Sequence, residues 1–193
     1  MTQALLYMHG FRSSPQSQKA QIIKELCSEA GIEFAAPDLN MPPAAAAEKL
    51  SGTFAELSRA HDKVALAGSS LGGFYCAWLA QQTAARAALL NPAVHPWEVV
   101  KNYLGEQTIY GTTRTIFVTP EYAAQLQALQ TPSSTHPERV FLVLATGDEV
   151  LDWNEAAALY NQSPSMVING GDHGLSGFAE QAPVVMNFLF GSS

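Results

Sequence analysis

The sequence predicts an α/β protein: a three-layer α/β/α sandwich on about six mostly parallel strands. Apolar runs of strand length alternate along the chain with longer segments of helical period. The strand-length runs are continuously apolar, as suits strands of a parallel sheet covered on both faces. Strand–helix alternation of this kind implies right-handed crossovers and helices on both sides of the sheet. A third observation fixes one junction. Gly68-Ser69-Ser70-Leu71-Gly72-Gly73 follows the apolar run Val64-Ala65-Leu66-Ala67 and sets a serine where a strand gives way to a helix.

In order, the candidate strands are Ala4–Met8, Ile32–Ala36, Lys63–Ala67, Ala87–Leu90, Val140–Ala145 and Met166–Asn169. Helical period is carried by Ile22, Ile23, Leu26, Cys27 and Ala30, which end at the stop signal Gly31. It returns in Leu50, Phe54 and Leu57 after Pro42-Pro43, and again in Val184, Val185, Phe188 and Leu189. No internal repeat or linker interrupts this order, so residues 1–193 are expected to form a single domain. Residues 92–138 break the rhythm and are expected to form a lid or cap insertion. This segment carries Trp97, Val99, Val100, Tyr103, Leu104, Ile109, Tyr110, Ile116, Phe117 and Val118, an apolar set that either roofs a site or only packs on the domain.

At 193 residues the chain is long enough for a substantial core, and 47% hydrophobic with 14% charged residues carries no disorder signature. A net charge of −7 and the lack of Lys/Arg runs argue against nucleic acid or an anionic membrane as partner. The start lacks a charged leader, and its apolar run is too short for a signal or membrane span, so a cytoplasmic protein is expected. Cys27 and Cys76 fall in predicted helices without metal-ligand spacing and read as reduced, buried thiols. Oligomeric state is not legible.

The glycine-flanked serine carries the chemistry. A G-x-S-x-G turn strains its central serine into exposure between strand and helix. The residues at ±2 must be small because strand and helix pack closely there. Ser70 meets this condition with Gly68 and Gly72, whereas Ser69 is flanked by Ala67 and Leu71. By chance a bare G-x-S-x-G falls in about one chain in fifteen of this length, so the strand-before, helix-after setting is what makes it informative. The alternative role of Ser70 is an ordinary helix N-cap.

A nucleophilic serine needs a base, and the chain has five histidines. His61 precedes a strand, His136 lies in a polar loop, His95 in the insertion and His9 at the end of the first strand. His173, in Asn169-Gly170-Gly171-Asp172-His173-Gly174, follows the last candidate strand, on the active face of an open α/β sheet. It is the expected base. The expected acid is Asp148, just past Val140–Ala145, with Asp152 as runner-up. Asp172 should diverge from its neighbour His173, Asp38 precedes the serine, and Glu149 should point away if Asp148 points in. Leu71 N–H is expected to supply one oxyanion donor and Phe11 N–H the other, with His9 and Gly10 shaping the turn of Met8-His9-Gly10-Phe11. The polar stretch from Phe11 to Ala20 reads as a helix-entry loop, or as one in which Arg12 meets an acidic group of a substrate.

Together these motifs resemble the α/β-hydrolase superfamily, and more closely the YqiA-type small bacterial esterases. The resemblance runs nearly end to end. It rests on Tyr7-Met8-His9-Gly10-Phe11 with Ser13-Ser14-Pro15, on Gly68–Gly73, on Asn91-Pro92-Ala93, on Thr146–Asp152 and on Gly170-Gly171-Asp172-His173. It implies a truncated α/β-hydrolase fold that starts at the family's third strand. It also implies Ser70, Asp148 and His173 as a triad and hydrolysis of acyl esters or acyl thioesters. A small-molecule substrate is then expected, with neither metal nor organic cofactor. The competing expectation is a non-catalytic ligand- or partner-binding protein on the same fold.

Overall fold

The computed structural model describes residues 1–132 and 134–191, so Ser133, Ser192 and Ser193, which fall within the expected lid and domain, lie outside the described residues. Its elements run β1 (Gln3–Met8), α1 (Gln18–Glu29), β2 (Glu33–Ala35), α2 (Pro43–Ala60), β3 (Lys63–Ser69), α3 (Leu71–Gln82) and β4 (Ala87–Leu90). There follow α4 (Pro96–Val99), a 3-10 turn Val100–Tyr103, β5 (Gly105–Thr108), β6 (Thr115–Val118) and α5 (Glu121–Ala128). The chain closes with β7 (Val140–Ala145), α6 (Trp153–Leu159), β8 (Ser165–Ile168) and α7 (Phe178–Phe190).

Six strands form one sheet in the order β2-β1-β3-β4-β7-β8, and every neighbouring pair is parallel. The chain steps from β1 outward to β2, then crosses back to β3 on the other side of β1. This reversal is a switch point, so the loops leaving β1 and β3 face each other across a crevice. Alternation along β1 splits the core. Ala4, Leu6 and Met8 face Leu50, Phe74 and Leu79 on one side, whereas Leu5 and Tyr7 face Ile23, Phe178 and Val185 on the other. Burying each such Leu or Phe removes water from apolar surface worth about 1.5–3 kcal/mol. The central strands β3, β4 and β7 have almost wholly buried sequences, as their continuous apolar runs require.

Each expected strand is present; Ala87–Leu90 and Val140–Ala145 keep their expected ends and the others shift. The second shrinks to Glu33–Ala35, the third extends through Ser69, and the last occupies Ser165–Ile168. Helix α1 stops as read: Gly31 takes φ +67° and the Ile32 N–H closes on the Cys27 carbonyl at 2.8 Å. Proline opens α2 at its first turn, where no N–H is needed. Cys27 and Cys76 are free and buried, and burial pushes the Cys27 thiol up to about 12.

The segment 92–138 combines helix and strand. Beside α4 and α5 it contains an antiparallel hairpin, with Gly105 opposite Val118 and Thr108 opposite Thr115. Its strands are four residues each, and Gly-Glu-Gln-Thr is too polar to stand out as a strand. Nor does its apolar set form a single roof. Trp97, Ile109 and Val118 are buried in the domain, while Phe117 and Leu104 face outward. Among the described residues no helix is long and apolar enough to cross a membrane.

Candidate active site

Strand β3 ends directly beneath the crevice. Ser69 is buried as the last strand residue, and Ser70 occupies the turn into α3 with φ 57° and ψ −121°. A non-glycine residue there carries local strain of about 1–3 kcal/mol. Backbone bonds hold it: Ser70 N–H donates to Leu90 O at 3.0 Å, and Ser70 O accepts from Gly73, Phe74 and Ala93. The glycines are required by contact. A Cβ at Gly68 would lie 2.1 Å from Gly72 O, and one at Gly72 would lie 2.0 Å from Met8 O. Ser70 precedes α3 without capping it through its side chain. Its Oγ instead lies 3.0 Å from His173 Nε2.

His173 Nδ1 stands 2.8 Å from Asp148 Oδ2 and 3.0 Å from Oδ1. A carboxylate can only accept, so Nδ1 carries the proton and Nε2 is the acceptor for the Ser70 hydroxyl; this tautomer is assigned from the network. The Asp148 side chain is 1% exposed, and its Oδ1 also accepts from the Val150 and Leu151 N–H groups at 2.9 Å each. Those bonds hold the carboxylate independently of the imidazole. Asp152 is elsewhere engaged: it caps α6, accepting from Asn154 N at 2.9 Å. Asp172 turns to Ser176, away from His173. The other histidines pair at the surface or interior, His61 with Glu33, His95 with Glu155 and His136 with Glu138.

Two supports went unread in the sequence. Glu149 does not point away: its Oε2 accepts the His173 N–H at 2.9 Å, so both acids of the Asp148-Glu149 pair grip the histidine loop. Asn91, buried at the end of β4, donates from Nδ2 to Asp172 O and His173 O at 3.1 and 3.3 Å, and accepts from Ala145 N at 2.9 Å. It ties the strand bearing the acid to the loop bearing the base. A polar residue directly after the apolar run Ala87–Leu90 was the available signal.

Opposite Ser70 lies the loop after β1. A Cβ on Gly10 would come within 3.2 Å of Ser70 Cβ, so the two turns are in contact. Phe11 and Leu71 both line the cleft at Ser70. Leu71 is the first residue of α3, where the helix provides its N–H with no acceptor. His9 is buried beneath this loop. Its Nδ1 lies 2.8 Å from Gly10 O and its Nε2 accepts the Leu39 N–H at 2.9 Å. Burial lowers the His9 pKa below the ordinary value, although the Gly10 carbonyl and Asp38 oppose this. Arg12 is held against the hairpin: its Nε donates to Thr108 O at 2.7 Å and its guanidinium stacks on Tyr110 at 4.5 Å.

The cleft has a volume of about 410 Å³. Its lining combines apolar Ala93, Pro96, Val99, Val100 and Leu126 with polar Ser13, Ser17, Gln18 and Lys19. Among the described residues no cluster of three or more His, Cys, Asp or Glu side chains is placed to hold a metal ion.

The architecture is that of known α/β hydrolases. Est1E from Butyrivibrio proteoclasticus is similar with a TM-score of 0.76 at 16% identity, covering 97% of this chain and 86% of its own. Alpha/beta hydrolase domain-containing protein 10 from mouse gives 0.71 at 17%, covering 98% and 92%. The esterase domain of a Rhodothermus marinus protein gives 0.70 at 19%, covering 98% and 85%. At these identities the likeness establishes the α/β-hydrolase fold. A sequence model described as uncharacterised protein family UPF0227 matches residues 4–190.

Proposed function

This chain belongs to the uncharacterised protein family UPF0227, and from the geometry at Ser70 we propose that it is a serine hydrolase of carboxylic acyl esters or acyl thioesters. The observation that carries the reading is the continuous relay from Ser70 Oγ through His173 to the buried Asp148 carboxylate, with links of 3.0 and 2.8 Å. A binding module would have no need of a strained serine aligned on an imidazole of defined tautomer.

In this reading His173 Nε2 takes the Ser70 proton as Oγ bonds to the acyl carbon. The carbonyl electron pair moves to oxygen, and the N–H groups of Phe11 and Leu71 hold the oxyanion. His173 then gives its proton to the departing oxygen or sulfur as that bond breaks, leaving an acyl-serine. Water, deprotonated by the same nitrogen, attacks the acyl-serine, and the acid and free Ser70 are released. Asp148 orients the imidazole and stabilises it while charged. Each oxyanion donor contributes about 3–4 kcal/mol to the transition state. Residues 92–138 act as a lid on the single domain 1–193, with Pro96, Val99 and Val100 forming the acyl wall; their place in the cleft supports this.

Labelling with a fluorophosphonate probe tests the proposal. Wild-type protein is expected to label at Ser70 and Ser70→Ala to remain unlabelled. An unlabelled wild type, or equal labelling of both, would favour the non-catalytic reading.

A further inference from the structure

The loop that follows β1 is held by the insertion as well as by the sheet. Gly10, Phe11, Arg12 and Ser13 form a β-turn, closed by the Ser13 N–H donating to Gly10 O at 3.1 Å. Arg12, its third residue, takes φ 58°, whereas Phe11 has no positive φ. A positive φ at the third position alone marks a type II turn, where glycine or asparagine is the usual residue. Nothing in an arginine's own local preference favours that conformation. With an ordinary negative φ the turn would take the commoner type I form, in which the peptide between its second and third residues is reversed. That reversal turns about Phe11 ψ and Arg12 φ, so it disturbs the residue whose N–H is the proposed oxyanion donor.

Bonds to the hairpin oppose the reversal. The Tyr110 N–H donates to Arg12 O at 2.8 Å, while Arg12 Nε donates to Thr108 O at 2.7 Å and the guanidinium covers the Tyr110 ring. Main chain and side chain of one residue are thus gripped from the same place. The Phe11 ring meets Tyr103 edge-on, with centroids 5.4 Å apart, so the preceding residue also leans on the insertion. The gripping segment is itself anchored. Ile109 is buried and its N–H donates to Arg114 O at 2.9 Å, and Arg114 pairs at 2.8 Å with Asp38 on the loop after β2.

We propose that Arg12 is a positioning residue of the oxyanion hole: clamped by Thr108 and Tyr110, it holds the Gly10–Ser13 turn in the form that presents the Phe11 N–H to the substrate. This rests on the hydrolase reading above. It gives the insertion a role beyond lining the cleft, because the hairpin completes the hole from outside the main sheet. Arg12 acts through the backbone of its turn and not through its charge. Were the clamp released, the relay from Ser70 through His173 to Asp148 would remain, and one oxyanion donor would be misplaced.

The test reads the rate at which a fluorophosphonate probe labels Ser70, together with kcat and KM for phenyl acetate. Attack on either compound builds negative charge on the oxygen that faces the Phe11 and Leu71 N–H groups. Arg12→Ala should slow labelling and lower kcat by about 10 to 10²-fold, with KM within about twofold of wild type. Arg12→Gly, for which the positive φ is free of strain, should recover most of what Arg12→Ala loses. Tyr110→Ser should lower kcat severalfold when Arg12 is present and much less in Arg12→Gly. Wild-type rates in Arg12→Ala overturn the proposal. So does a loss carried by KM alone, or an equal loss in Arg12→Ala and Arg12→Gly, which would assign the effect to the guanidinium itself. Should Arg12→Ala fail to fold, the Tyr110→Ser comparison decides, and equal falls in both backgrounds overturn the clamp. Failure of wild type to label removes the hydrolase reading and this inference with it. Labelling of wild type with rates unchanged in the variants removes this inference alone.

Discussion

The His9 imidazole grips the Gly10 carbonyl at 2.8 Å, and that carbonyl shares a peptide plane with the Phe11 N–H. Because C=O and N–H of a trans peptide point in opposite directions, the bond that pulls the carbonyl toward His9 turns the Phe11 amide away from it. The Leu39 N–H donating to Nε2 leaves Nδ1 as the protonated nitrogen; a second proton on Nε2 would keep the Gly10 bond but replace the acceptor of the Leu39 N–H with a donor facing it.

Acid should therefore act through His9. Its folded pKa lies below the ordinary value, so the unfolded chain takes up the proton more readily. The stability involved is complete above the unfolded value of about 6.5 and is lost as pH falls through the window below it. Between about pH 7.5 and 5.5, wild type should lose more stability than His9→Asn, which keeps a donor but does not titrate. Urea unfolding at the two pH values measures this, and equal losses would remove His9 as the cause. At neutral pH, His9→Ala should lower kcat by up to about 10²-fold through the misplaced Phe11 amide.

The two candidate acids now make opposite predictions. Asp148→Asn removes the charge facing His173 Nδ1 and should cut kcat by roughly 10⁴-fold with the fold retained. Asp152→Ala removes only the cap of α6, at a cost of about 1 kcal/mol in stability, with kcat little changed. Steady-state kinetics beside urea midpoints for both variants separates the roles. A catalytic defect in Asp152→Ala without one in Asp148→Asn would reverse the assignment.

Local rules made much of this molecule legible. The continuous apolar runs announce buried parallel strands, and Gly31 announces the end of α1. Ser70, Asp148 and His173 each follow a strand's carboxyl end, because topology alone collects those ends on one face. What escaped the sequence is what depends on contacts between loops. Glu149 reaches the His173 backbone only because the loops after β7 and β8 are adjacent in space. Asn91 bridges β7 to the histidine loop across more than fifty residues of chain on one side and eighty on the other. Arg12 was free in sequence but is held by a hairpin whose four-residue strands left too faint a pattern to read.

Two glycines in helices set the last contrast, since they look alike in sequence and differ in surroundings. Gly72 sits in the first turn of α3 against the backbone of β1, where a Cβ would lie 2.0 Å from Met8 O and 2.6 Å from His9 O. Backbone atoms anchored in a central strand cannot retreat as a flexible side chain would. Gly72→Ala must therefore push α3 off the sheet, displacing both the Ser70 turn and the loop after β1. A loss of about 3 kcal/mol or more is expected, at the upper end of overpacking costs. Gly52 lies exposed within α2 with nothing within 4 Å of its added Cβ. There alanine only lowers the entropy of the unfolded chain and improves helix propensity, so Gly52→Ala should stabilise by about 0.5–1 kcal/mol. Urea midpoints of the two variants measure the difference. A Gly72→Ala protein as stable as wild type would mean that the start of α3 does not press on β1 as closely as these distances require.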